Sequence, residues 1–191
     1  MTRLRVGLLA GGRSSEHEIS LASARSVLAA LDPARYDVVS VTIGRDGRWA
    51  LEGGPSGHVL VPGTGAAAPA AETLPVPAEG GTLAALASVD VVLPILHGPF
   101  GEDGTVQGLL ELAGIPYVGA GVAGSALAMD KDLFKKVMRD SGIPVARHHT
   151  IRDGDAVECP FEYPVFVKPA RLGSSVGISK VHDASELAAA V

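Results

Sequence analysis

The sequence predicts an α/β fold, a doubly wound and mostly parallel sheet at the N-terminus followed by a smaller α+β region. Three observations predict it. The chain opens on LRVGLLA, whose apolar run VGLLA leads into Gly11-Gly12 as a central parallel strand does. Strand-like and helix-like stretches then alternate as far as about residue 121, the pattern of βαβ units. From about residue 145 short strand-like runs dominate instead, which marks a second domain over 122–191 after a first over 1–121.

After the first strand, a helix is expected from about Glu16 to Leu31, with Ile19, Ala22, Val27, Ala30 and Leu31 as its apolar face and Asp32-Pro33 as its stop. Ser15 and Glu18 have the spacing of a capping box. Residues 38–43 (VVSVTI) give a second strand and 47–51 a short third. The stretch 52–81, rich in Gly, Pro and Ala, reads as a long surface loop. Residues 89–96 (VDVVLPIL) form another buried strand, followed by a helix at about 104–113 and a short strand at 115–118. Residues 122–141 read as helix broken near Asp130. Beyond it VARHHTI, PVFVKP and VGISKV read as strands. The closing HDASELAAAV starts a helix capped by Asp183, and a helix that short predicts that the domain continues past Val191.

Composition removes several classes of function. Hydrophobic residues make up 47% of the 191, which describes a globular chain. No apolar run is long enough to span a bilayer. The single cysteine, Cys159, provides no disulfide framework, and a cytoplasmic location is expected. A formal net charge of −5 argues against nucleic acid as the main partner. No Lys or Arg occurs between Arg48 and Lys131, whereas nine of the sixteen basic residues lie from Lys131 onward. If the protein handles phosphate, the last third is where its groups lie; uneven surface charge alone gives the same pattern.

Three stretches carry candidate chemistry. In LLAGGRSSEHEISL a strand, a Gly-Gly turn and a helix start create an anion pocket, although the third glycine of a dinucleotide fingerprint is missing. Glu16 there is a candidate for holding a substrate ammonium, or else a first-turn acid favoured by the helix dipole. In LHGPFGEDGTVQG, four glycines and a proline shape a loop at the same sheet edge, and His97 has the side chain to meet a carboxylate. Glu102 and Asp103 are explained equally well as turn acid and helix cap. In VKPARLGSSVGISKV the lysine precedes the glycines and a strand follows them, the reverse of a phosphate-binding P-loop. It reads as a hairpin that folds over a polyphosphate, with Lys168 as a point charge and Gly173, Ser174, Ser175 and Gly177 supplying amides and hydroxyls. Lys131, at a preceding helix start, offers a second cation.

Together these stretches resemble the D-alanine–D-alanine ligases of the ATP-grasp superfamily, over essentially the whole chain. The pattern HG-x-x-GEDG-x-x-QG matches the family signature without departure, and GGRSSEHEIS, AMDK and VKPARLGSSVGISKV follow in the family's order. The resemblance implies a pre-ATP-grasp domain followed by the first part of an ATP-grasp domain. It also implies ATP-dependent joining of two D-alanines through an acyl phosphate, for peptidoglycan precursors. In that reading Glu16 holds the ammonium of the first D-alanine and His97 lies by its carboxylate. Lys131 and Lys168 contact ATP phosphates, the loop Gly173–Gly177 covers them, and Ser174 links by hydrogen bonds towards Glu16 and a tyrosine further along the chain. The family's Mg²⁺ or Mn²⁺ ligands, adenine contacts and second-substrate arginine fall beyond Val191, so residues 1–191 alone are expected not to turn over. A homodimer is implied as well. Two other readings stay open: a D-alanine–D-lactate ligase, and a non-catalytic binding fragment if the chain ends at Val191.

Overall fold

The computed structural model describes residues 2–51 and 85–191, so the loop expected at 52–81 lies outside the described residues. The chain divides into two compact units, Met1–Ser125 and Ala126–Val191.

The first unit is built on a four-stranded sheet. Its strands are β1 (Leu4–Gly11), β2 (Tyr36–Ile43), β3 (Trp49–Leu51) and β4 (Val91–Pro94), in the order β3-β2-β1-β4. β1 runs parallel to both β2 and β4, and only β3 is antiparallel. Six consecutive residues of β1, from Val6 to Gly11, are buried, which is why this strand reads as an unbroken apolar run and not as an alternation. The pleat still sends successive side chains to opposite faces. Leu9, Val41, Ile43 and Val92 pack on one face with Leu86 and with Val106 and Leu110 of helix α2 (Thr105–Leu112). Leu8 and Ala10 pack on the other with Ala24 of helix α1 (His17–Ala30). Both faces are therefore covered, the doubly wound arrangement that the β-α-β alternation predicts.

Three expectations for this unit change. The inward face of α1 is His17, Ser20 and Ala24, with Leu21 and Val27 partly packed; Ile19 stands 53% exposed. Apolar periodicity missed this face because its central residue is a serine whose hydroxyl is consumed by hydrogen bonds (below). The Ser15–Glu18 capping box is absent: Glu16 is the N-cap residue, and Glu18 faces outward to Arg45 at 3.3 Å. The strand expected at 115–118 shrinks to a single bridge, Tyr117 beside Val92, because Pro116 has no N–H to give a ladder. The Pro116 carbonyl still accepts from Val92 N–H at 2.7 Å.

The helix expected over 122–141 is two helices, α3 (Val122–Met129) and α4 (Lys131–Asp140), divided at Asp130. In the second unit β5 (Val165–Val167) pairs antiparallel with β6 (Ser179–Val181), so the stretch read as a hairpin is one. Helix α5 (Ala184–Ala190) starts from Asp183, whose carboxylate accepts the Ser185 and Glu186 amides. The strand expected at VARHHTI does not form. That segment and the Arg152 that follows it are tied by side chains to one acid on α4: Asp132 receives Thr150 Oγ1 at 2.7 Å, Arg152 at 3.0 Å and His148 Nε2 at 3.5 Å. Alternation in the sequence signals a half-buried face, but a strand also needs a partner edge.

Candidate functional site

In the first unit the chain leaves β1 for β2 on one side and returns to β4 on the other. The switch between these directions falls at the carboxyl ends of β1 and β4, where open α/β sheets bind ligands. Two loops meet there, the Gly-rich turn after β1 and the loop that follows β4. At Gly11 (φ +88°) the turn begins so close to β2 that a β-carbon would lie 2.3 Å from the Ile43 carbonyl oxygen, which leaves only glycine.

The buried carboxylate of Glu16 stands at this turn, at the very start of α1. It reaches the second loop at Gly98 (φ +71°), where an added β-carbon would come within 2.7 Å of Glu16 Oε2. His97 is next in sequence, and its Nε2 lies 3.3 Å from Ser23 Oγ of α1. Glu16 and His97, 81 positions apart in the chain, are thus carried onto one edge by adjoining segments.

Hydroxyls on the first segment join the two loops. Ser20 Oγ accepts the Gly11 amide at 2.8 Å and donates to the Ile95 carbonyl. Ser14 Oγ accepts the Glu16 amide at 3.2 Å and donates to the His97 carbonyl at 2.6 Å. His17 Nδ1 lies 2.7 Å from the Gly12 carbonyl. Neither Ser14, Ser20 nor Ser23 stood out in the sequence. The available signal was serine at hydrogen-bonding distance along the chain from a Gly-Gly turn, which many helix starts share.

The acids of the second loop shape it. Glu102 accepts the Gly98 amide at 2.8 Å. Asp103 accepts the Phe100 amide at 2.8 Å and both the amide and hydroxyl of Thr105. Burial raises the Asp103 pKa, but these donors outweigh it and leave the carboxyl below its ordinary value. Gln107 Nε2 donates to the Gly101 carbonyl at 2.9 Å. Beside the loop opens a cleft of about 240 Å³, walled by Ile43, Trp49, Leu96, Phe100, Val106 and Leu109 and bordered by His97 and Gly12. Arg13 lies 5.1 Å from the centre of the Phe100 ring at its rim, a cation–π contact that sequence reading did not anticipate.

In the second unit Lys168 follows β5 directly, and its ammonium lies 5.8 Å from the Phe166 ring centre. Lys131, first residue of α4, is bound to the loop after β5 at three points. Its amide donates to the Ala170 carbonyl at 3.0 Å, and its ammonium to Pro169 O at 3.1 Å and to Leu172 O. Burial lowers the Lys131 pKa, the Lys168 charge lowers it further, and Asp130 opposes both. Asp130 caps α4 through the Asp132 and Leu133 amides and holds Arg171 Nε at 2.8 Å. Of these, the Leu133 amide does most to keep the Asp130 carboxyl below its ordinary value, followed by Arg171.

The loop Gly173–Gly177 turns back on itself, with Val176 N–H donating to the Gly173 carbonyl at 3.0 Å. Ser174 and Ser175 both take positive φ, +48° and +62°, a conformation that costs a non-glycine residue on the order of 1 kcal/mol or more. At Gly177 (φ +68°) a β-carbon would come 2.8 Å from Pro169 Cγ, so the loop closes against its own base. Lys131, Lys168 and the loop therefore belong to one local assembly, and the loop tip is exposed.

Comparison with known proteins follows the same division. The family model described as the D-ala D-ala ligase N-terminus matches residues 5–120, and that described as the C-terminus matches 137–191. A "D-alanine--D-alanine ligase" from Mycobacterium sp. (strain KMS) is 49% identical over 99% of this chain and 56% of its own length. The solved D-alanine-D-alanine ligase from Coxiella burnetii superposes with a TM-score of 0.76 at 34% identity, covering 100% of this chain and 57% of that one. The VanG D-Ala:D-Ser ligase from Enterococcus faecalis gives 0.74 at 31%, covering 99% and 58%. The chain thus spans a little over half the length of the relatives it matches. With both family models matched in order and the fold shared throughout, the chain belongs to the D-alanine–D-alanine ligase family, whose fold is ATP-grasp.

Proposed function

We propose that this chain serves the ATP-dependent ligation of two D-alanines to D-alanyl-D-alanine through an acyl phosphate, for peptidoglycan precursor synthesis. The observation that carries the reading is the approach of the buried Glu16 carboxylate to Gly98, next to His97, at the sheet's switch point. A small zwitterion needs an anion for its ammonium and a donor for its carboxylate, within a few ångströms of each other. Glu16 takes the first role and His97 the second.

In the second unit Lys131 and Lys168 neutralise the phosphates of ATP as charge shifts during phosphoryl transfer. Burial, and after it the nearby Lys168 ammonium, lower the Lys131 pKa, and a polyphosphate would offset both by supplying negative charge. The loop Gly173–Gly177, with Ser174 and Ser175 at its exposed tip, covers those phosphates and keeps water from the acyl phosphate. Ser174 is assigned a catalytic role on the same reading. Mg²⁺ or Mn²⁺ accompanies the nucleotide in such chemistry, yet among the described residues no group of three or more His, Cys, Asp or Glu side chains converges to hold a metal ion. No step is assigned to the metal. Among the described residues no helix is long and apolar enough to cross a membrane. A homodimer working in the cytoplasm completes the reading.

Titration with D-alanine and L-alanine, followed by NMR of the Gly98 amide, tests the first subsite. D-alanine is expected to bind in preference to L-alanine, and Glu16→Gln to weaken it at least tenfold by removing the ammonium's counter-charge. Equal binding of the two enantiomers, or a Glu16→Gln chain that binds as the wild type does, refutes the assignment.

A further inference from the structure

Ser14 is not among the residues assigned above, yet it touches the segments that carry both substrate-holding groups. Its side chain is buried, and its hydroxyl works in two directions at once. It accepts the Glu16 amide at 3.2 Å and donates its proton to the His97 carbonyl at 2.6 Å, joining residues 83 positions apart. A β-carbon at Gly98 would stand 3.4 Å from Ser14 Cβ and 2.7 Å from Glu16 Oε2, so Ser14, Gly98 and Glu16 form one packed corner.

We infer that Ser14 is the positioning residue that fixes Glu16 relative to His97 for the first D-alanine. The inference rests on the D-alanine reading of that site. A serine acting only as a helix cap would accept from the start of α1 and have no need of the second loop. Donation to the His97 carbonyl is what a cap does not require. Joining the loops as such is already achieved one layer deeper, where Ser20 bridges Gly11 and Ile95 and is fully buried. That leaves Ser14 the last two residues before the substrate groups. Only a hydroxyl supplies a donor and an acceptor on so short a stem. Loss of the hydroxyl releases His97 and Gly98 from the Glu16 turn while the sheet beneath stays joined.

The division of labour between Ser14 and Ser20 supplies the test. The 191-residue chain is compared with Ser14→Ala, Ser14→Thr and Ser20→Ala by D-alanine titration, amide hydrogen exchange over 97–101 and thermal unfolding. Ser14→Ala is expected to weaken D-alanine binding about tenfold and to speed exchange of the 97–101 amides, with a smaller loss of melting temperature than Ser20→Ala. Ser14→Thr, which keeps the hydroxyl, is expected to restore affinity to within about threefold of wild type. The role is overturned if Ser14→Ala binds D-alanine as the wild type does, if it fails to fold, or if threonine does not rescue it. Absence of D-alanine binding by the wild-type chain defeats the functional reading itself, a different result from wild-type binding that Ser14→Ala leaves intact.

Discussion

In the first unit Glu16 and His97 are fixed by buried contacts: serine hydroxyls between loops, a glycine against a carboxylate, and a sheet covered on both faces. In the second unit Lys131, Lys168 and the loop Gly173–Gly177 ride on a two-stranded hairpin and on α4, a helix with no buried residue. Its ties are a cap, lysine-to-carbonyl bonds and ion pairs such as Arg171–Asp130, where the arginine side chain is 79% exposed. Removal of water strengthens the first kind of contact, while salt and solvent weaken the second. A small, neutral-overall amino acid calls for fixed geometry. A polyphosphate, the ligand proposed for the second unit, brings its own charge and calls chiefly for cations near an exposed loop.

This contrast can be broken at its strongest point first. Leu110, fully buried beneath the sheet, is expected to cost about 2–5 kcal/mol when changed to alanine, read by chemical denaturation. A loss under 1 kcal/mol would mean that the first unit is not the rigid half. In the second unit the largest single effect is expected from Asp130→Ala, which removes the cap of α4 and the partner of Arg171. It should cost about 1 kcal/mol, seen as earlier loss of helical circular dichroism on heating.

A smaller, pH-dependent effect sharpens the same contrast. Hydrogen bonds from Lys136 and then Thr150, with the Lys136 and Arg152 charges, hold the Asp132 carboxyl down at about 2, from an ordinary 3.8. Because the folded value is the lower one, its contribution is complete above the unfolded pKa and disappears as pH falls through the folded one. Melting temperature should therefore decline between about pH 4 and pH 2, and Asp132→Asn should flatten that decline while lowering stability near neutrality. The smallest effect is expected at Arg171. Arg171→Ala should cost less than about 1 kcal/mol, and the difference from wild type should shrink further in 1 M salt, measured by parallel melts.

The parts legible in the sequence are those governed by a short-range rule. β1 announces itself because a central parallel strand is apolar on both faces, and α5 because Asp183 precedes free amides that it caps. The break at Asp130 is readable for the same reason. The inward face of α1 was not, since Ser20 is buried by virtue of partners in β1 and after β4 that no local window contains. VARHHTI misled because its alternating residues answer to one distant acid, Asp132, and not to a neighbouring strand. Glu16 and His97 were legible as motif residues, but their approach through Gly98 depends on the β1–β4 pairing, a property of topology. Arg13 and Trp49 joined the cleft unannounced for the same reason.

β3, the short antiparallel edge strand, places Trp49 opposite Ile43, buried within the first unit and on the wall of the cleft. It is the only tryptophan in the chain. Indole emission therefore reports from the first unit, while backbone dichroism sums over both. Plotted together, the two signals separate the melting of the halves without any label. The same indole borders the space beside His97, so an occupant of that space would announce itself as a change in colour or intensity of the protein's own light.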